Sequence, residues 1–239
     1  MTQQAREWVT GAHRVCVLTG AGISAESGIP TFRSAGGLWR EFRAEQLATP
    51  EAFRRDPKLV WEWYDWRRGL VLAAQPNAGH LALAEFERRR PSGFTLVTQN
   101  VDGLHDRAGS RAVCKLHGDL WTLRCLECEA ETHDERVPLP ELPPRCAGCG
   151  GMLRPGVVWF GEALPEAALN AAFQAASTCE VMLVVGTSSQ VYPAAALGPM
   201  ARQAGARLIE VNVEETPHSS LADVSLRGAA GTVLPGILL

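Results

Sequence analysis

The sequence predicts an α/β protein in which a Rossmann-like parallel sheet domain carries a smaller inserted domain, part helical and part zinc ribbon. Three observations in the 239 residues predict this class. Short apolar runs alternate with helical patterns, which is typical of βαβ units. A glycine-rich turn follows the first apolar run. Two segments, one aromatic and one rich in cysteine, interrupt the alternation.

Four apolar runs predict the strands, because a short continuous run bounded by turn signals is typical of a strand buried on both faces. They are RVCVL at 14–18, FTLVT at 94–98, EVMLVVG at 180–186 and ARLIEVNV at 206–213. Helical patterns precede later runs, as at 77–90 and 193–204. Ligands of such sheets bind beyond the carboxyl ends of the strands. At those ends stand GAG at 20–22, QN at 99–100, GTS at 186–188 and Asn212.

The two interruptions predict the inserted domain. Residues 37–74 are helix-rich and aromatic, and residues 121–156 contain four cysteines and the linker PLPELPP. We expect these two segments to form one small domain, a helical module plus a zinc ribbon. The sheet domain then comprises residues 1–36, 75–120 and 157–239.

Composition narrows the class of protein. Hydrophobic residues make up 46% of the chain and charged residues 21%, as in ordinary globular proteins. The net charge of −3 provides no basic field for a phosphate backbone, so nucleic acid is not expected as a partner. No apolar run approaches a membrane span, and the start MTQQAREWVTGAH lacks the apolar core of a secretory signal. We therefore expect a cytoplasmic protein without a membrane partner.

The turn GAGISA at 20–25 satisfies G-x-G-x-x-A directly after a strand, where glycines let a backbone approach a pyrophosphate. The alternative is a plain strand-to-helix turn whose glycines allow tight packing. A dehydrogenase needs an acidic residue about 20 positions further on, at the end of a second strand. The sequence there is IPTFRSAGGLWREF, in which Pro30 and a glycine pair indicate a loop. A dinucleotide would therefore be held in an unusual pose.

Two C-x-x-C pairs separated by seventeen residues predict a structural zinc site, because each pair forms a knuckle and two knuckles complete a tetrahedron. The ligands would be Cys125, Cys128, Cys146 and Cys149. Four thiolates leave no open coordination position, so this ion should not contact substrate. The remaining cysteines stand in or beside apolar runs and are expected to be small buried hydrophobic residues. They are Cys16, Cys114 and Cys179.

Polar residues follow the second predicted strand, in TQNVDGLHDRAG at 98–109, and precede a histidine in LHG at 116–118. Gln99, Asn100 and Asp102 present groups that suit an amide-bearing ligand, although an Asn or Asp that caps a helix is the alternative. His117 is a candidate general base, since the ordinary pKa of histidine is about 6.5. Two further histidines compete for that role: His80 and His105.

These motifs stand in one order along the chain, followed by RPGVVWFGE at 154–162, GTS at 186–188 and IEVN at 209–212. In this combination the chain resembles the sirtuins, the NAD-dependent protein-lysine deacylases, over roughly residues 12–236. Its details are similar to the class III sirtuins, which remove succinyl and malonyl groups.

The resemblance implies that NAD is consumed as a co-substrate. The acyl-lysine carbonyl oxygen attacks the ribose carbon as nicotinamide leaves, and His117 then acts as base for a ribose hydroxyl. The acyl group ends on ADP-ribose. Expected partners are therefore acyl-lysine proteins or peptides, and a monomer is expected.

The resemblance also implies a set of NAD contacts. Phe32 would cover the ribose, with Arg33 ordering that loop. Asn100 would hold ribose and a water, and Asp102 would bind the nicotinamide carboxamide. The full set is Gly20, Ala21, Gly22, Ser24, Phe32, Arg33, Trp39, Gln99, Asn100, Val101, Asp102, Gly186, Thr187, Ser188, Asn212, Val213 and Ala230.

A Tyr-x-x-Arg pair in the aromatic helix carries the acyl prediction. In sirtuins that remove acidic acyl groups, residues matching Tyr64 and Arg67 bind the distal carboxylate, and a small residue matching Ala35 leaves room for the longer chain. The alternative is that Tyr64 packs with Trp61 while Arg67 is solvated. The VVWFGE segment is similar to the strand that pairs with substrate peptide. Its candidate residues are Val158, Trp159, Phe160 and Gly161.

The sequence leaves three alternative functions open. A dehydrogenase on a Rossmann sheet is the nearest enzyme alternative, and the missing acidic ribose residue counts against it. A zinc-ribbon nucleic-acid module is the non-enzyme alternative, which the net charge of −3 disfavours. Mono-ADP-ribosyl transfer is possible within the resembling family.

Overall fold

The computed structural model describes residues 1–31, 38–39 and 42–239. The strands in chain order are β1 (Val15–Thr19), β2 (Leu38–Trp39), β3 (Phe42–Arg43), β4 (Phe94–Thr98), β5 (Val113–Lys115), β6 (Gly118–Cys125), β7 (Glu131–His133), β8 (Leu153–Val157), β9 (Val181–Val185), β10 (Arg207–Asn212) and β11 (Val224–Arg227). The helices are α1 (Thr2–Gly11), α2 (Gly22–Ala25), α3 (Ala44–Leu47), α4 (Pro50–Arg55), α5 (Pro57–Ala73), α6 (Ala78–Arg89), α7 (Leu104–Arg107), α8 (Glu166–Thr178), α9 (Leu197–Gln203) and α10 (Ala230–Leu238), with a 3₁₀ turn at Ala194–Ala196. Within these ranges, no helix combines the length and the apolar character that crossing a membrane requires.

A six-stranded sheet in the order β11-β10-β9-β1-β4-β5 forms the larger part of the molecule. Every neighbouring pair in it is parallel, which confirms the predicted Rossmann-like sheet. The four predicted strands correspond to β1, β4, β9 and β10. The apolar runs did not reveal the two edge strands, because VCK and VSLR are short and only partly buried.

Helices cover both faces of this sheet, as the continuous apolar runs predict. Along β1, Val15 and Val17 face a core shared with α1, α6 and α10. Cys16 and Leu18 face the opposite core, shared with α8 and α9. This alternation follows from the two-residue period of a strand, and it explains why β1 has no polar position before its carboxyl end.

The smaller part combines the antiparallel sheet β7-β6-β8 with the helices α4 and α5 around a third, aromatic core. Both helices begin at sequence-coded caps, because Thr49 and Asp56 accept backbone N–H groups and each is followed by proline. The predicted division of the chain into two domains stays a prediction. Strands β6 and β8 run across its boundaries after residues 120 and 156.

The loops after β1 and β9 are in backbone contact at the carboxyl edge of the sheet. Gly22 N donates to the Gly186 carbonyl oxygen at 2.7 Å, and Gly20 N donates to Val185 O at 3.0 Å. A Cβ on Gly22 would lie 2.7 Å from that Gly186 oxygen. Gly186 itself has a φ of +57°, which glycine adopts without strain. The glycines therefore serve tight loop packing, and the GAG backbone lines the strand-end cleft.

We expect Gly22→Ala to lower the free energy of unfolding by about 1–3 kcal/mol, because the new methyl group overlaps a backbone atom that cannot move freely. Urea unfolding measures the change. Gly11→Ala, at the end of α1, is the matched control, since no atom of the described residues lies within 4 Å of the methyl group that it would add. An equal loss in both variants would contradict the packing argument.

Candidate active site

Three polar side chains meet in a buried cluster where β1 and β4 end. Asn100 Nδ2 donates to the Gly20 carbonyl oxygen at 3.0 Å and to Ser24 Oγ at 3.2 Å. Ser24 Oγ in turn donates to Asp102 Oδ2 at 2.7 Å. Burial raises the pKa of Asp102, while bonds from Leu104 N and Ser24 oppose that rise. The structure thus unites Ser24, Asn100 and Asp102, three residues that the sequence assigned to one ligand.

Two buried histidines lie behind this cluster. His80 Nε2 is 3.5 Å from Ser24 Oγ, and the His80 and His105 ring centroids are 4.9 Å apart. His105 Nε2 is 2.9 Å from Thr19 Oγ1. Burial lowers the pKa of His80 to about 4 and that of His105 to about 3. Both rings are therefore neutral at pH 7, and they extend the polar cluster into the protein without adding charge.

His117 lies on the turn between β5 and β6, half-buried at the mouth of the same cleft. Its Nδ1 is 2.9 Å from the Gln99 carbonyl oxygen, and its own carbonyl oxygen accepts Val158 N at 2.8 Å. Because a carbonyl oxygen can only accept, Nδ1 carries the proton and Nε2 keeps its lone pair when the ring is neutral. Burial lowers the pKa of His117, and the bond to Gln99 partly opposes this effect.

The opposite end of the cleft is organised around Thr187. Gln99 Nε2 donates to Thr187 Oγ1 at 3.0 Å, and Asn212 Nδ2 donates to the Thr187 carbonyl oxygen at 2.8 Å. Ser188 beside it is half-buried, and Val213 is 65% exposed. Three predicted residues from β4, β9 and β10 are thereby brought together.

Ala230 and Val101 differ from the other predicted NAD contacts in their surroundings. Ala230 is buried as the first residue of α10, where it packs closely on Gly79 of α6. Val101 packs against the aromatic core of the smaller part. Ala21, the middle residue of the GAG turn, is half-buried.

Tyr64 and Arg67 lie on α5, which faces the cleft from the smaller part. Trp159 Nε1 donates to the buried Tyr64 hydroxyl oxygen at 2.9 Å. The Arg67 guanidinium lies 5.3 Å from the centroid of the Trp63 ring. Burial lowers the pKa of Arg67, and the nearby Tyr64 and Asp102 oppose this effect. Arg67 therefore interacts electrostatically with both Tyr64 and the Asp102 carboxylate.

Tyr64 also packs on aromatic neighbours, as the alternative interpretation of this helix expected. Its ring lies 4.5 Å from the Trp63 centroid and 6.5 Å from that of Trp61, both in edge-on geometry. Arg67 is half-buried, however, rather than fully solvated. The Tyr64 hydroxyl is buried as well, and its partner Trp159 belongs to the same aromatic core.

The prediction of a strand over VVWFGE is wrong beyond its first residue, because β8 ends at Val157 and a turn follows. The Glu162 carboxylate bonds across this turn: it accepts Trp159 N at 2.8 Å and pairs with Arg154 at 2.6 Å. Glu162 N also donates to Trp159 O at 3.0 Å. Within the turn, Phe160 and Gly161 are exposed.

The four cysteines of the two C-x-x-C pairs converge at one point beside β6 and β8. All four Sγ atoms lie within 4.8 Å of one another, with neighbouring Sγ pairs at 3.5 and 3.8 Å. Tetrahedral zinc with Zn–S bonds of about 2.3 Å requires Sγ pairs about 3.8 Å apart, so the residues fit one zinc ion. Backbone N–H groups within the knuckles lower the pKa of Cys125 to about 7 and also lower that of Cys146. The donor set is that of a closed structural site.

The other three cysteines lie away from this cluster. Cys16 and Cys179 are buried, and burial raises the pKa of Cys16 and raises that of Cys179 to about 11. Cys114 is half-buried, and burial raises its pKa too. These thiols stay protonated, which agrees with their expected role as small hydrophobic residues.

The Sir2 family model matches residues 20–193. The chain belongs to the Sir2 family. An NAD-dependent protein deacylase of Aquifex aeolicus is 58% identical over 220 residues, which cover 92% of each chain.

Solved Sir2 structures share the fold over nearly the whole chain. A Sir2 homologue in complex with NAD matches with a TM-score of 0.93 and 47% identity, covering 99% of this chain and 92% of the other. A Sir2 complex with a p53 peptide and NAD+ matches with a TM-score of 0.88 and 32% identity, covering 98% and 95% of the two chains. The similarity of this Sir2 chain to the solved structures thus includes both the six-stranded sheet and the smaller part.

Several predicted residues of this Sir2 chain lie outside the described residues. They are Phe32, Arg33 and Ala35, while only the backbone of Trp39, in β2, is described. Sequence reasoning, in turn, missed the contact of His80 with Ser24. These residues are 56 positions apart, and no local pattern indicates that α6 brings its first turn against α2.

We expect one zinc ion per chain and unfolding of the β6–β8 sheet when a chelator removes it, because metal binding supplies part of the folding free energy there. Elemental analysis and near-ultraviolet circular dichroism measure the two effects. Cys125→Ser should lose zinc, whereas Cys114→Ser, outside the cluster, should keep it. A chain that contains no zinc and keeps its native spectrum would contradict the prediction.

Proposed function

We propose that this protein is an NAD-dependent protein-lysine deacylase that transfers acyl groups from lysine to ADP-ribose and releases nicotinamide. The observation that carries the proposal is the buried Ser24–Asn100–Asp102 cluster next to a neutral His117, in a Sir2-family chain whose relative is named an NAD-dependent protein deacylase. A cytoplasmic location and a monomeric state stay predictions from the sequence.

NAD would bind along the carboxyl edge of the sheet. The nicotinamide end would meet Asp102 and Asn100, and the adenosine end would meet Ser188 and Asn212. The polar groups of this edge come from four adjacent strands, and their hydrogen bonds to one another hold the rims of the cleft. Such a row suits a long ligand with amide, hydroxyl and phosphate groups.

His117 would act as the general base toward a ribose hydroxyl. Its Nδ1–H donates to Gln99 O, so the free Nε2 lone pair is the one that can accept the proton. The lowered pKa of His117 keeps that lone pair available at pH 7. The substrate acyl-lysine would enter beside residues 158–161, where Val158 is already bonded to the His117 carbonyl group.

An acidic acyl group would be held by Tyr64 and Arg67. A hydroxyl oxygen that accepts from Trp159 keeps its own proton to donate, and a guanidinium can grip both oxygens of a carboxylate. A carboxylate left unpaired beside this aromatic core would be costly. The protein would therefore remove succinyl and malonyl groups as well as acetyl groups.

We expect His117→Ala to reduce turnover by at least about 100-fold while NAD still binds, since a positioned base contributes about 10²–10⁴-fold. Peptide deacylation followed by mass spectrometry and calorimetric NAD titration measure the two quantities. His133→Ala, at an exposed site on β7, is the control and should be fully active. For the wild-type protein, kcat/KM should rise with pH to a plateau, and the midpoint of the rise should lie below about pH 6.5, because burial lowers the pKa of His117 below its ordinary value. If the His117→Ala variant turns over at the wild-type rate, another group is the general base.

We expect Arg67→Met to lose most desuccinylation and to keep deacetylation within about a few fold. Hydrogen bonds to a charged group are worth about 1.5–3 kcal/mol, or roughly 10- to 150-fold in kcat/KM. Tyr64→Phe should show a smaller loss of the same sign.

Matched acetyl and succinyl peptides test this selectivity. Arg54→Met, the same substitution at an exposed position of α4, should change neither activity. If Arg67→Met lowers both activities equally, the residue is structural, and the packing interpretation of α5 is right.

A further inference from the structure

Glu210 is an acidic side chain buried inside the parallel sheet. It lies in the middle of β10 and is 1% exposed. An ionised carboxylate in such surroundings is costly unless it is paired and hydrogen-bonded. Arg227 Nη1 donates to Glu210 Oε2 at 2.8 Å, and Ser219 Oγ donates to the same oxygen at 2.6 Å. Thr216 Oγ1 donates to the second oxygen, Oε1.

These donors come from two different segments. Arg227 belongs to the edge strand β11, as does Ser225, whose hydroxyl lies 3.2 Å from Glu210 Oε2. Thr216 and Ser219 belong to the loop 213–223, which starts where β10 ends. The carboxylate therefore joins that loop to the sheet. Burial raises the pKa of Glu210, but the Ser219, Thr216 and Arg227 donors together lower it by more and keep the group ionised.

The same donors also bond to one another. Arg227 Nη2 donates to Ser219 Oγ at 2.8 Å, and Thr216 N donates to that oxygen at 2.8 Å. His218 N donates to Thr216 Oγ1 at 3.0 Å. Removal of the Glu210 charge would therefore loosen the whole loop rather than one contact.

The network reaches the cleft through Asn212. Because strand residues alternate between faces, Asn212 shares the face of Glu210, and it stands opposite Arg227 in the β10–β11 register. Its side chain donates to Thr187 O and accepts Val213 N. The backbone at residues 212–213 is thus held by Thr187 on one side and by the Glu210 network on the other.

We infer that Glu210, acting with Arg227, is a positioning residue for the adenosine end of NAD, an inference that rests on the proposed function. It acts through Asn212 and Val213, because its own oxygens are enclosed by the loop and β11. Without the Glu210 network, the loop 213–223 would have to become ordered when NAD binds. That cost would weaken NAD binding without changing the chemistry at the nicotinamide end.

Glu210→Gln tests the inference, since it keeps the side-chain shape and removes the charge. We expect the Kd and KM for NAD to rise about tenfold, the change that loss of about 1.4 kcal/mol produces. We expect kcat at saturating NAD and KM for the acyl peptide to stay within about twofold. Ser219→Ala, which removes one donor, should raise KM for NAD less and serves if Glu210→Gln folds poorly.

Asp223→Asn is the matched control. Asp223, the last residue of the loop 213–223, is also a largely buried, ion-paired acid, but its carboxylate contacts the amino end of β10, at the opposite end of that strand from Asn212. It accepts Leu208 N at 2.8 Å and pairs with Arg202 at 2.6 Å. The substitution should lower the melting temperature without changing KM for NAD. An unchanged KM in Glu210→Gln and Ser219→Ala, or an equal rise in Asp223→Asn, would overturn the inference alone. A wild-type protein that binds no NAD would overturn the proposed function and this inference with it.

Discussion

The backbone contact between the loops after β1 and β9 is the constraint on which the site depends. Gly22 N and the Gly186 carbonyl oxygen are 2.7 Å apart, a distance that excludes any side chain between them. This contact sets where the GAG turn lies, and Asn100 then bonds to the Gly20 carbonyl oxygen from the next strand. The geometry of the cleft is therefore fixed by hydrogen bonds that continue the pairing of the strands beyond their carboxyl ends.

Polar groups inside this cleft are bonded to one another, and little net charge accumulates among them. Ser24 links an amide, a carboxylate and a neutral imidazole, and His105 continues the polar chain toward Thr19. Burial keeps both histidines neutral at pH 7, and it also raises the pKa of Asp102. A site of this kind binds neutral polar groups such as carboxamides and ribose hydroxyls without a counter-ion.

In the smaller part, α5 carries two arginines with different surroundings. Arg68 is fully buried and donates to the carbonyl oxygens of Leu120 and Asp134, which ties α5 to the sheet next to the cysteine cluster. Arg67, one position earlier, lies over the Trp63 ring and interacts electrostatically with Tyr64 and Asp102. Arg68 thus anchors α5 to the sheet that carries the cysteine cluster, whereas Arg67 is only half-buried.

The sequence by itself determined the elements whose signal is local. Continuous apolar runs identify β1, β4, β9 and β10, because strands covered on both faces consist mainly of apolar residues. The spacing of the C-x-x-C pairs identifies the metal cluster, because a knuckle is a local structure. Only the tertiary structure decided the rest. The short edge strands β5 and β11, the turn that Glu162 bonds across after Val157, and the contact of His80 with Ser24 all depend on partners distant in sequence. The Glu210 network is of the same kind: an acid within an apolar strand looks like an interruption of the pattern, and its partners exist only once β11 and the loop 213–223 have packed against it.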